Sequence, residues 1–252
     1  MKLVAICPTY RRQHLILNVL AMWEAQDYVG QRHLLILDDG REFVDLSASA
    51  RTGPDWSIAV AHQRYPSFGE KFATLVDLAI SEHGATHIVL FEDDDVYGPQ
   101  YLSAHSAALN HSHLSMPLTV LANDHAGRGK WHLTHAVGRH HGAWAFSVRA
   151  YRESGGYERS NNHGFDTHLG NRLRSRYTAA DTFPGVSESE PGRCHYLYRW
   201  FTAGQKNGSA YSEGMYASQT QPAVPWPADR PIVPEFDAET AGYYSSLWGV
   251  TT

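Results

Sequence analysis

The stretch "HIVLFEDDDVYGPQYL", from His87 to Leu102, decides how this chain is read. Ile88, Val89, Leu90 and Phe91 make an apolar run of strand length, the pattern of a strand buried on both faces. Four acids follow without a spacer: Glu92, Asp93, Asp94 and Asp95. Gly98-Pro99 then breaks the chain, and "QYLSAHSAAL" restarts it with helical character. Carboxylates placed side by side repel one another, and burying any of them is costly. Two readings are open: a solvated acidic turn, or a site where a divalent cation offsets the repulsion. Oxygen ligands at the end of a buried strand suit a hard cation, Mg²⁺ or Mn²⁺.

Outward from this stretch the pattern is strand, helix, strand. "KLVAIC" reads as an opening strand, and "QHLILNVLAMWEAQ" as a helix with Leu15, Val19 and Met22 at helical spacing. "RHLLILDDG" is a second buried strand ending in Asp38-Asp39-Gly40. "FGEKFATLVDLAISEHG" is a helix with Phe72, Leu75, Val76 and Ala79 on one face and Gly84 as its stop. The alternation implies an α/β fold with a mixed, mainly parallel sheet flanked by helices, in a single compact domain. Ligands of such sheets collect at the carboxyl ends of the strands, so "CPTYRR", "LDDG" and "FEDDD" should face one crevice. Farther on, "MPLTVLAND" reads as a strand, "HHGAWAFSVRAYRESGGYE" as a strand and short helix, and "HGFDTHLGNRLRSR" as a helix opening with Asp166. Residues 211–252, rich in Pro, Tyr and Trp, read as an irregular tail packing on the body.

Composition bounds the function. With 252 residues, 42% hydrophobic and 19% charged, the chain is a soluble globular protein with a real core. No apolar run approaches a membrane span, and "MKLVAICPTYRR" turns basic too quickly for a signal peptide. Two cysteines, Cys7 and Cys194, make no disulfide framework, which fits a cytoplasmic setting. The net charge of −5 hides an asymmetry: residues 1–125 carry −7, residues 126–210 carry +6 and residues 211–252 carry −4. An acidic first half and a basic middle suggest two binding tasks. The expected division is a first unit over residues 1–115, a second over 116–210 and the tail over 211–252.

The motifs, taken in order, resemble the family 2 type of nucleotide-sugar glycosyltransferases with the GT-A fold. "AICPTYRR" is similar to the family's opening strand and loop, "LLILDDG" to its second strand, and "FGEKFATLVDLAI" to the helix before the metal strand. "VLFEDDDVYGPQYL" is similar to its Asp-x-Asp strand, while "AWAFSVRAYRESGGYE" and "NNHGFDTHLGNRL" resemble its acceptor region. Aligned on Pro99, Glu92 takes the place of the first Asp and Asp94 that of the second; Asp93-x-Asp95 is the alternative frame. Phe165 stands where the family's Glu-Asp pair has its Glu, which leaves Asp166 as the candidate base.

The resemblance implies a nucleotide diphosphate sugar, best matched by a UDP-sugar, as donor, and Mn²⁺ or Mg²⁺ as cofactor, with residues 1–115 as the donor half and 116–210 as the acceptor half. It places Asp94 and Asp95 on the metal, with His195 as a third ligand or a diphosphate contact. Pro8, Thr9, Tyr10, Arg11, Asp38, Asp39, Lys71, Glu92 and Asp93 would line the donor site; Arg12 and Arg199 are further cations able to pair with diphosphate. Direct displacement with Asp166 as base would invert the anomeric centre. For the acceptor, Trp144 and the "RLRSR" cations Arg172, Arg174 and Arg176 suggest a polyanion, and compact phage enzymes resembling this group suggest a hydroxymethylated base in DNA. On that reading the enzyme would work in the host-cell cytoplasm. The other readings are a surface polysaccharide or glycan precursor as acceptor, or a nucleotide-sugar binding protein that has lost catalysis. A nucleotidyltransferase is set aside because "CPTYRR" lacks a Gly-rich phosphate loop. His140 and His141 flank the acceptor region without an assigned role.

Overall fold

The computed structural model describes residues 1–123, 131–161, 164–199 and 225–251. His163 and residues 211–224 of the expected tail lie outside them. The main sheet has the order β3-β2-β1-β4-β9-β6. Strands β1 (Lys2–Thr9), β2 (Gln31–Asp38), β3 (Trp56–Val60) and β4 (His87–Leu90) run parallel. Strand β9 (Ala145–Ser147) pairs antiparallel with β4, and β6 (Leu114–Ser115) antiparallel with β9. A second sheet, β5-β10-β7-β8, joins β5 (Val96–Tyr97), β10 (Tyr196–Tyr198), β7 (Thr119–Asn123) and β8 (Trp131–His135).

Side-chain alternation along each central strand explains the continuous apolar runs. Leu3, Ala5, Cys7, Leu34 and Ile36 pack on one side with Val19, Leu20 and Trp23 of α1 (Gln13–Glu24). Val4, Ile6, Leu35 and Leu37 pack on the other with Phe72, Leu75, Val76 and Ala79 of α2 (Phe68–Ser81). Helix α2 opens with a capping Ser67, whose Oγ accepts the Glu70 N–H at 3.0 Å, and Gly84 follows its end at φ 61°. Strand β3, in "DWSIAV", escapes a periodicity reading because it is a short edge with only Trp56 and Ile58 buried.

Helix α1 is buried more completely than a single apolar stripe implies. Leu17 and Asn18 are covered as well, because the chain's last described segment crosses them. Asn18 donates to the Asp237 carboxylate and accepts the Asp237 N–H at 3.0 Å. Asp237 caps α6 (Ala238–Tyr243), which runs into a π-helical turn over Tyr244–Trp248. Tyr244 then donates to the Tyr97 carbonyl, and Trp248 Nε1 to the Cys194 carbonyl at 3.1 Å. Residues expected to be irregular therefore include a helix seated on α1 and β5.

The exit from the acidic stretch is fixed by one buried amide. Gln26, 6% exposed, donates from Nε2 to the carbonyls of Met22 (3.0 Å) and Gly98 (2.9 Å). Its Oε1 accepts the Leu102 N–H at 3.0 Å, at the start of α3 (Tyr101–Leu109). Gln26→Met keeps the length of the side chain but leaves the Leu102 N–H without its acceptor and removes one of the two donors on the Gly98 carbonyl, the other being the Tyr101 N–H. We expect urea denaturation to show a loss of about 1–3 kcal/mol; an unchanged midpoint would show that the loop does not depend on this residue.

Candidate active site

Register brings the expected loops together. Thr9 pairs with Asp38 and Ile6 with Leu90, so β1, β2 and β4 open onto the same carboxyl edge. Pro8, inside β1, is tolerated because β1 pairs only with β2 beyond Ile6, so a missing N–H breaks no ladder on the β4 side. Asp93, Asp94 and Asp95 are 2%, 6% and 0% exposed, which rules out a solvated turn.

Glu92, Asp94 and Asp95 each offer an oxygen, and these lie within 4.8 Å of one another. Asp93 instead turns to Arg12, whose Nη1 is 2.7 Å from Asp93 Oδ1 and 3.1 Å from Asp94 Oδ2. Asp95 accepts from Tyr196 Oη at 2.6 Å and from the Arg199 N–H at 3.1 Å, while Arg199 Nε donates to the Asp94 carbonyl at 2.7 Å. Burial raises the carboxyl pKa of Glu92, Asp93 and Asp95, and repulsion from Asp94 adds to it in all three. The hydrogen bond from His141 opposes the rise at Glu92. Three close, oxygen-only ligands whose charges resist coexistence fit a hard divalent cation.

The second loop is also buried. Asp38 accepts the N–H groups of Gly40 (2.8 Å) and Phe43 (3.1 Å), and burial raises its pKa. Asp39 Oδ1 is 2.6 Å from Lys71 Nζ, which also donates to the Thr9 carbonyl at 2.8 Å. Lys71, 1% exposed, thus ties α2 to the ends of β1 and β2. Tyr10 is 6% exposed, with the guanidinium groups of Arg64 and Arg11 at 4.4 and 5.1 Å from its ring centre. Arg11 takes a left-handed φ of 56°. Glu42, absent from the sequence reading, accepts the N–H groups of Arg12 (2.8 Å) and Gln13 (3.3 Å) at the start of α1, the place where a carboxylate meets unsatisfied donors.

Asp166 lies in the first turn of α5 (Phe165–Arg176), part-exposed, and Gly164 rather than Asp166 is the cap. Its charge is felt by Glu92, Tyr157 and Tyr198, so it lies within electrostatic reach of the acidic end. Phe165 anchors that turn by packing on Phe72 at 5.1 Å and Phe68 at 5.4 Å. His141 joins the two sides: its Nδ1 is 2.7 Å from Glu92 Oε1, and its Nε2 is 2.6 Å from Tyr157 Oη. The sequence signal was Gly142. A Cβ there would stand 2.7 Å from Asp95 Oδ2, so only glycine lets this backbone approach the acids.

Three expectations need correction. His195 is not with the metal-type oxygens: its Nδ1 faces the Gln100 N–H at 3.3 Å and its ring stacks on Trp248 at 5.9 Å. Burial lowers its pKa to about 4. Trp144 is 1% exposed beneath Gly170, with Nε1 on the Arg139 carbonyl at 2.9 Å, so it is a core residue and no acceptor platform. Arg172 holds the carbonyls of Ser154 and Gly156. Arg174 and Arg176 are exposed. Elsewhere in the basic block, Arg149 pairs with Glu153 at 2.7 Å, and Arg159 with Glu70 at 2.8 Å and with Asp77.

No family model matches the sequence, and no curated protein matches it. Solved structures do. TarS residues 1–349 from S. aureus superposes with a TM-score of 0.58 at 12% identity, over 78% of this chain and 60% of that one. Its complex with UDP gives the same values, and the complex with UDP-GlcNAc reaches 84% of this chain and 61% of TarS. A further TarS structure gives a TM-score of 0.53 over 78% of this chain and 36% of its own. The chain spans about three fifths of the TarS 1–349 chain. Identity this low speaks for the fold alone: the chain has the mixed, mainly parallel GT-A type of fold.

Glu42 yields a test in solution. Burial and then Asp38 raise its pKa from the ordinary 4.5 to about 7. The folded chain therefore binds more protons than the unfolded chain between those values, and stability falls as pH rises through that window. Glu42→Gln should flatten the decline by up to roughly 3 kcal/mol when unfolding is compared at pH 4.5 and 7.5. Parallel curves for the two proteins would place the Glu42 pKa in its ordinary range.

Proposed function

We propose that the protein is an inverting, metal-dependent glycosyltransferase that moves a sugar from a nucleoside diphosphate sugar to a hydroxyl. The observation that carries this reading is the Glu92–Asp94–Asp95 cluster at the carboxyl edge of β4, beside the β1 and β2 loops and within electrostatic reach of Asp166. TarS has been solved with UDP and with UDP-GlcNAc, which makes a UDP-sugar the first donor to test here. Glu92, Asp94 and Asp95 would hold Mn²⁺ or Mg²⁺, which when bound supplies Lewis-acid stabilisation of the leaving diphosphate. Arg12 and Arg199 set fixed positive charge at the same edge. Asp38 and Asp39 shape the nucleoside loop, and their carboxylates keep lone pairs for uracil N–H or ribose hydroxyls.

Asp166 takes the acceptor's proton as its oxygen attacks the anomeric carbon from the face opposite the diphosphate. The C–O bond to the diphosphate breaks as the new one forms, with inversion. In this reading residues 1–115 serve the donor, residues 116–210 the acceptor, and residues 225–251 of the expected tail brace the body. This reading favours a glycan hydroxyl as acceptor, because Trp144 is buried, Arg172 is bonded to backbone carbonyls, and Arg149 and Arg159 are paired with carboxylates. Hydroxymethylated DNA is the second reading, supported by exposed Arg174 and Arg176 on the helix that carries Asp166. No described helix is long and apolar enough to cross a membrane.

Nucleotide release from a panel of nucleotide sugars with Mn²⁺, run with glycan acceptors or hydroxymethylated DNA, tests the reading. Asp94→Ala should abolish release and leave the fold intact, since it removes a repelling charge; full activity of that variant in EDTA would falsify the metal assignment. Asp166→Asn should lower turnover by about 10²–10⁴-fold with donor affinity unchanged. Donor binding without turnover on any acceptor would favour a binding protein instead. Stimulation by DNA, lost in Arg174→Glu/Arg176→Glu and steeply salt-dependent, would favour the second acceptor.

A further inference from the structure

His141 is 7% exposed, and both ring nitrogens are engaged: Nδ1 with Glu92 Oε1 at 2.7 Å and Nε2 with Tyr157 Oη at 2.6 Å. An ionised carboxylate only accepts hydrogen bonds, so Nδ1 donates to Glu92; in the neutral ring Nε2 is then the acceptor for the Tyr157 hydroxyl. The ring is held edge-on to Phe72 at 4.8 Å, Trp144 at 5.2 Å and Phe165 at 5.4 Å. The backbone is over-determined as well. His140 adopts a left-handed φ of 53°, and the Gly142 carbonyl accepts from Tyr101 Oη at 2.8 Å and Tyr97 Oη at 3.3 Å.

Glu92 differs from the other acids of its run. Its side chain is one methylene longer than aspartate and 22% exposed, where those of Asp93 and Asp94 are 3% and 8% exposed. A longer, wetter carboxylate loses more rotamer freedom when it is fixed on a ligand. We propose that His141, backed by Tyr157, is a positioning residue that holds Glu92 by one oxygen and presents the other to the cation shared with Asp94 and Asp95. The inference rests on the metal reading of the acidic end. It makes metal affinity depend on the acceptor side of the fold, because Tyr157 and Phe165 flank Asp166. Groups that orient a metal's ligands are typically worth 10–100-fold in affinity.

Titrating the full chain with Mn²⁺ alone, and reading free Mn²⁺ by electron paramagnetic resonance, separates positioning from packing. His141→Phe fills the aromatic cage but cannot donate to Glu92. His141→Asn leaves a hole, yet its amide nitrogen stands near the position of Nδ1. Positioning requires His141→Phe to weaken Mn²⁺ binding by about 10–100-fold, with His141→Asn close to wild type. Tyr157→Phe, which keeps the ring and loses only the hydroxyl, should weaken it by about fivefold, and it serves if a His141 variant does not fold. If His141→Phe and Tyr157→Phe bind like wild type, the positioning role is overturned and the metal reading stands. If the wild-type chain takes up no Mn²⁺, the metal reading itself is overturned.

Discussion

Four carboxylates can end a buried strand only if something compensates their mutual repulsion and lost hydration. Here the compensation is divided among named partners: Arg12 on Asp93 and Asp94, Arg199 and Tyr196 on Asp95, and His141 on Glu92. These partners come from three different parts of the chain. Arg12 opens α1, Arg199 follows β10, and His141 lies in the turn before β9. Holding the acids together therefore also holds the two sheets together, and the same arrangement leaves three oxygens converging within 4.8 Å.

The partners need partners of their own. Glu42 fixes the backbone of Arg12, and its carbonyl accepts the Trp226 N–H from the C-terminal segment. Lys71 plays the matching part for the second loop, locking Asp39 to the Thr9 carbonyl with an ammonium that is 1% exposed. Buried charges of this kind are poor contributors to net stability, and removing one partner strands the other. Their value is geometric: they keep the carboxyl ends of β1, β2 and β4 in one arrangement before any ligand arrives.

Strands and helices with strong periodicity were legible in the sequence, and so was the convergence of three loops after β1, β2 and β4. The acids and the Gly84 stop are local patterns, and local physics sets them. What the sequence hid depends on long-range packing. Trp144 and Arg172 look like surface groups beside a basic helix, yet one lies under Gly170 and the other holds carbonyls of the preceding loop. His195 looks like a ligand by position, but β10 turns it toward Gln100 and Trp248. His141 shows the reverse case. Only the following Gly142 marks the place, and the meaning of His141 appears when Glu92 and Tyr157 are seen on its two nitrogens. Helix α6 was hidden because only six residues of weak periodicity form it, and it is held by Asn18 far away in the chain.

A crystal structure with UDP and Mn²⁺, with anomalous scattering recorded at the manganese edge, tests the central claim most directly. The expected result is one strong peak bounded by carboxylate oxygens of Glu92, Asp94 and Asp95, with the diphosphate on it and uridine over Asp38 and Asp39. Manganese bound elsewhere, or UDP seated without contact to this edge, would contradict the account.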